Sequence, residues 1–149
     1  MVKAGLTTEN TLEDLHKLAV EYSCPLAVKG TSFDGTAALA EKLLSMKFKD
    51  IVLDTGATTF TQAFKDHVAA RRAAVVKKYR PLGFPTIVFP CDLTGDPLQE
   101  TLFAATFIPK YGSIIILSEI EGYTLFPLTV QRMNIYTDPQ KPLATKEGI

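Results

Sequence analysis

Four short apolar runs recur through this chain, and they constrain its fold more than any other feature. They are Leu26-Ala27-Val28, Ile51-Val52-Leu53, Thr86-Ile87-Val88-Phe89 and Ser113-Ile114-Ile115-Ile116-Leu117. Their starts are about 25 to 35 residues apart, the length of one strand-plus-helix unit. None alternates apolar with polar residues, so each reads as a strand buried on both faces, as parallel strands covered by helices are. The stretches between them carry helical signals. Thr11 opens a helix with Leu12, Leu15, Ala19 and Tyr22 on one stripe, and Pro25 stops it. Asp34 is a candidate cap for a second helix bearing Ala37, Ala40, Leu44 and Phe48. A long helix is expected from about Thr59 to Tyr79, with Phe60, Phe64, Val68, Val75 and Tyr79 inward. Asp96-Pro97 caps another, with proline at the first helical position, inward residues Leu98, Leu102 and Ala105, and an end near Pro109. A last helix spans roughly Tyr123 to Asn134, with Pro127 tolerable only in its first turn.

The fold class that follows is α/β, with four parallel βα units amounting to half of a TIM (β/α)8 barrel. A small open parallel α/β sheet is the alternative. A closed barrel needs eight strands in roughly 250 residues, and this chain has 149. Half a barrel would leave two strand edges and an apolar sheet face in need of cover. Either two copies associate as a homodimer of half-barrels, or the chain is an excerpt of something longer. The βα-repeat domain is expected over residues 1–137. From 138 to 149 the chain reads as an extended linker, because Asp138-Pro139 and Pro142 oppose helix.

Charge removes several partners. The chain has 16 basic and 16 acidic residues, so its formal net charge is zero. Nucleic acid and anionic membranes select a basic excess and are not expected partners. The local exception is the cluster of Arg71, Arg72, Lys77, Lys78 and Arg80, which reads first as a solvated helix face and second as a phosphate- or partner-contact surface. No apolar run approaches membrane-spanning length, and the N-terminus lacks a signal-peptide core, so the expected location is cytoplasmic. Cys24 and Cys91 lack CxxC spacing and a histidine cluster, which leaves no four-ligand metal site and no metal-binding residue within the chain.

Ligands of parallel α/β folds bind where strands end. Those ends carry Lys29, Asp54 with Thr55, Cys91 with Asp92, and Ser118 with Glu119. Asp54 could hydrogen-bond a pterin- or amide-type ring, or close its own loop as an Asx-turn. Cys91 reads as a small buried filler, and Asp92 and Glu119 as solvated loop acids before an acid–base pair. His16 and His67 lie on helices, with surface or helix-packing roles. GxSxG, P-loop and GxGxxG motifs are absent, and no catalytic residue is assigned.

Two stretches carry a family resemblance. Lys77-Lys78-Tyr79-Arg80-Pro81-Leu82-Gly83-Phe84-Pro85-Thr86-Ile87 is similar to a segment of the large (gamma) subunit of the corrinoid iron–sulfur protein. Arg132-Met133-Asn134-Ile135-Tyr136-Thr137-Asp138-Pro139-Gln140-Lys141-Pro142 resembles a second segment of that family, which has glutamine where this chain has Met133. The similarity runs from about Leu26 to Pro142, and Asn134, Tyr136 and Asp138 are its linker-motif residues. The resemblance implies a three-part parent: a [4Fe-4S] domain, a TIM barrel and a corrinoid-binding domain. Such a parent takes a methyl group from a methyl-pterin through a methyltransferase and passes it to acetyl-CoA synthase, in the reductive acetyl-CoA pathway or in acetate cleavage. It pairs with a small corrinoid protein subunit. This chain would be a scaffold and interaction module from the C-terminal half of that barrel, without turnover of its own. The rival expectations are a pterin-binding methyltransferase-like barrel completed by self-association, and a ligand-free α/β scaffold.

Overall fold

A computed structural model describes residues 2–3 and 9–135. It contains the strands β1 (Val2–Lys3), β2 (Leu26–Lys29), β3 (Ile51–Asp54), β4 (Thr86–Val88) and β5 (Ile114–Ile115). All neighbouring pairs are parallel, and the order across the sheet is β1-β2-β3-β4-β5. The four expected strands are present in sequence order, and β1 adds a short fifth at the edge. A sheet that never reverses its order is the arrangement of a barrel wall or a singly wound open sheet. Right-handed crossovers that step in one direction put every connecting helix on one face.

Side-chain packing follows from that topology. Leu26, Val28, Ile51 and Leu53 form one cluster with helix residues Leu12, Ala19, Ala37, Ala40, Leu43 and Ala70. Val88 and the half-buried Ile115 continue the helix-covered face with Ala63, Phe103 and Phe107. The alternate strand positions Ala27, Val52 and Ile87 form a separate cluster with Phe89, Ile114 and Ile116, and no helix residue belongs to it. This opposite face was expected to stand exposed. Instead Ala27, Val52 and Ile87 are buried, packed on one another and against Phe89, Ile114 and Ile116. The other members of the cluster, Phe89, Ile114 and Ile116, are half-buried.

The helices are α1 (Glu9–Glu21), α2 (Phe33–Ser45), α3 (Phe60–Val75), α4 (Pro90–Leu93), α5 (Pro97–Phe107) and α6 (Gly122–Ile135). A 3-10 turn at Arg80–Leu82 precedes β4. α1 starts two residues before Thr11, and Tyr22 falls beyond its end and is exposed. α2 is capped by Ser32, whose hydroxyl accepts from the Gly35 N–H at 3.1 Å, rather than by Asp34. Asp34 stays in the first turn, where its charge favours the helix dipole. Thr59 caps α3 and Asp96 caps α5, where the side chain accepts from the Leu98 N–H at 3.0 Å. α3 ends at Val75, short of Tyr79, and both residues are exposed. On α5 the expected inward residues Leu98 and Leu102 face solvent, while Glu100, Ala104 and Phe107 are buried. α4 was not expected. Pro127 lies in the second turn of α6, one turn deeper than expected, and is exposed. Water can therefore reach the Tyr123 carbonyl that proline cannot bond.

Asn134 lies in the last turn of α6 and is exposed. Tyr136, Asp138 and the 137/138 domain boundary lie outside the described residues. Among the described residues no helix is long and apolar enough to cross a membrane.

Candidate functional site

The strand ends are built by a small polar web. Thr36, buried in the first turn of α2, accepts from the Gly30 N–H at 2.9 Å through its hydroxyl oxygen. The same hydroxyl lies 3.2 Å from the Ser32 carbonyl and 3.3 Å from the Asp54 carbonyl. One side chain thus ties the exits of β2 and β3 to the start of α2. Gly30 is required there, since a Cβ would lie 2.4 Å from the Thr36 nitrogen.

Lys29 and Asp54 occupy paired register positions across β2 and β3. Asp54 is buried, and its Oδ1 accepts from the Gly56 N–H at 2.8 Å. This is an Asx-turn, and it carries the chain through the left-handed φ of +70° at Gly56. A Cβ at Gly56 would come within 2.9 Å of the Lys29 Cε, so the lysine stem lies across that turn.

Lys29, Asp54, Thr55 and Asp92 line one crevice, together with Ile87 and Phe89. Its volume is about 40 Å³. Ser118 and Glu119 line a separate crevice of about 10 Å³ with Glu100 and Thr124. The six expected residues therefore fall into two neighbouring groups. Pockets for drug-sized ligands run to roughly 300–1,000 Å³, so neither crevice encloses a ring system; the first has room for water.

Glu100 is the strand-end residue that sequence reasoning missed. It lies in the first turn of α5 and is 5% exposed. Its carboxylate accepts from the Ser118 N–H and from the Ser118 hydroxyl, both at 2.6 Å. These bonds fix the exit of β5 to α5. The Asp96-Pro97 cap was the available signal, because it sets Glu100 in the first turn; the direction of the side chain depends on how α5 docks. Cys91 is half-buried rather than buried. Burial, helped by the charges of Asp92 and Glu100, raises its pKa and holds the thiol protonated.

Both histidines, each on a helix, pack against a phenylalanine. His16 meets Phe48 edge-on at 5.3 Å. His67 is fully buried against Phe107, with ring centroids 5.3 Å apart. Neither ring nitrogen has a hydrogen bond of normal geometry. Burial pushes its pKa down to about 4, and the adjacent Tyr111 backbone, which favours the charged form, offsets this only in part. Beside it, burial raises the Asp66 carboxyl, against the Gln62 amide bond at 2.7 Å.

Among the described residues no group of three or more His, Cys, Asp or Glu is placed to hold a metal ion. Cys24 sits just before β2 and Cys91 just after β4, at opposite ends of a parallel sheet. The chain's two cysteines cannot converge on a cluster that takes four thiolates.

Comparison with known proteins places the chain. The profile of a family described as "CO dehydrogenase/acetyl-CoA synthase delta subunit" matches residues 3–149. The chain belongs to this family. It is 37% identical over 92% of its length to the corrinoid/iron-sulfur protein large subunit of Moorella thermoacetica. It is 31% identical over 95% of its length to acetyl-CoA decarbonylase/synthase complex subunit gamma of Methanopyrus kandleri. The gamma 2 subunit of Methanosarcina thermophila is 32% identical over 89% of this chain. The chain spans 30%, 33% and 31% of these three relatives, about a third of their length.

Proposed function

We propose that the chain is a barrel-wall segment of a corrinoid iron–sulfur methyl carrier. In this reading the whole protein receives a methyl group from a methyl-pterin by way of a methyltransferase and delivers it to acetyl-CoA synthase, in the cytoplasm and beside a small corrinoid subunit. The corrinoid and the [4Fe-4S] cluster belong to parts of that protein other than this segment. The segment itself positions and docks.

The observation that carries this reading is the unreversed order of five parallel strands, in a chain covering about a third of the relatives it matches. The β5 side supports it further. Ile114 through Leu117 are half-buried, and an apolar hollow of about 330 Å³ opens beside them between Ala104, Ile115, Leu125, Leu128 and Met133. An edge of this kind is suited to take further strands and helices. The crevice volume counts against a pterin seated at these strand ends. Native mass spectrometry tests the reading: the chain is mixed with a separately expressed remainder of the Moorella thermoacetica large subunit. A one-to-one complex supports it. A chain that stays monomeric, or pairs only with itself, refutes it.

A further inference from the structure

The joints that lead from a helix into the next strand share one backbone device. After α1, α2, α3 and α5 the chain passes through a left-handed residue: Ser23 (φ 49°), Lys47 (φ 64°), Lys78 (φ 53°) and Tyr111 (φ 77°). The following N–H then reaches back to a carbonyl in or near the helix's last turn, as Cys24 to Ala19, Phe48 to Leu43, Tyr79 to Ala73 and Gly112 to Phe107. This is the helix ending that glycine ordinarily serves, because a Cβ is strained at such a φ. Here the strained position holds lysine twice and tyrosine once, and all three side chains are exposed.

In an all-parallel sheet these joints lie together at the end where strands begin. Their charge is one-sided. Between helix ends and strand starts stand Lys47, Lys49, Lys77, Lys78, Arg80 and Lys110, against Asp50 alone among the described joints. At the opposite end, counting the joints and the residues that flank them, the balance inverts, with Glu9, Asp34, Asp54, Asp92, Asp96, Glu119 and Glu121 against Lys3 and Lys29, while the same flanking count adds Glu21 to the strand-start end. A chain of zero net charge is thus polarised along its strands. Apolar and aromatic groups are interleaved with the cations: Val75, Val76, Tyr79 and Tyr111 are all exposed, and the Arg71 guanidinium lies 5.8 Å from the Tyr111 ring centre. Two hollows open on this end. One, of about 350 Å³, is lined by Arg71, Tyr111, Pro109 and Arg132; the other, of about 460 Å³, by Leu44, Lys47, Lys49 and Arg80.

We propose that this strand-start face is a docking surface for an acidic, partly apolar surface of another protein. Cations steer such an encounter, while tyrosine, arginine and exposed valines supply its contact area. A nucleic-acid partner would call for a basic domain, which zero net charge and the acidic far end deny. Three of the four left-handed joints carry long exposed side chains where glycine would fit with less strain. This docking role stands independently of the methyl-carrier reading.

The test uses the full 149-residue chain and a labelled synthetic peptide of glutamates interspersed with leucines, followed by fluorescence anisotropy at two salt concentrations. Duplex oligonucleotide and anionic phospholipid vesicles are titrated in parallel. The expected result is salt-sensitive peptide binding that exceeds binding to duplex or vesicles. Combined Lys47→Gly, Lys78→Gly and Tyr111→Gly should weaken peptide binding tenfold or more while the melting temperature holds or rises. Lys65→Ala, a surface lysine away from the joints, should change binding less than twofold. Undiminished binding by the triple variant overturns the proposal, as does an equal loss in Lys65→Ala. So does absence of peptide binding, or duplex or vesicles binding as tightly as the peptide.

Discussion

Acidification should destabilise this protein in part through one buried side chain, His67. Its folded pKa lies near 4 because the buried ring has no solvent and no proper hydrogen-bond partner to hold a proton. In the unfolded chain the group titrates near 6.5. The unfolded state therefore takes up a proton first as pH falls, and stability present above about pH 6.5 is lost progressively down to about pH 4. With these two values the loss attributable to His67 at pH 4.5 is about 2 to 3 kcal/mol, since each tenfold difference in proton affinity between the two states is worth about 1.36 kcal/mol. Against a total of roughly 5–15 kcal/mol for a domain, that is a substantial share. Urea unfolding at pH 7.5, 6.0, 5.0 and 4.5 measures it, in parallel on the parent and on His67→Phe, which keeps an aromatic ring against Phe107. Subtracting the two curves cancels the carboxylates, including Asp66, whose raised pKa works in the opposite direction. The difference should grow by about 2 to 3 kcal/mol between pH 7.5 and 4.5. Parallel curves, or a His67 proton resonance titrating near pH 6.5, would refute the reasoning.

Three further outcomes follow from the strand-end web. Gly30→Ala drives a Cβ to 2.4 Å from the Thr36 nitrogen, and should cost about 1–3 kcal/mol in chemical unfolding; an unchanged midpoint would contradict the close approach. Glu100→Gln removes the charge holding Ser118 at 2.6 Å and should cost about 1–3 kcal/mol. It should also speed alkylation of the Cys91 thiol at pH 8, since Glu100 helps to raise that group's pKa; a slower reaction would reverse the assignment. Asp54→Ala should lose about 1 kcal/mol with its Asx-turn, and Asp54→Asn, which keeps the acceptor, much less; equal losses would point to charge instead.

How far the sequence led depends on which physics was local. The apolar runs located β2 to β5 because burial on both faces is written in consecutive residues. The caps at Thr59 and Asp96 were visible for the same reason. Helix faces were harder. Leu98, Leu102 and Val75 looked like core by size, yet small residues such as Ala63, Ala70 and Ala104 are what lie against the sheet, where close helix approach leaves little room. Strand-end residues were legible from topology, since any parallel strand delivers its last residues to one end. Their division into two crevices was not, because it depends on how α4 and α5 seat. Glu100 and the left-handed joints were hidden for a related reason. Nothing in Lys47, Lys78 or Tyr111 announces a positive φ where glycine would be the usual signal.

The unreversed strand order also has a consequence for how the chain acquires its structure. Every strand pairs with the strand next in sequence, so each unit needs only the one before it as a template. Loop closures are short, and folding can advance as the polypeptide emerges, one βα step at a time. Growth of such an array ends wherever the last strand meets a partner, and beside β5 an apolar hollow of about 330 Å³ lies open.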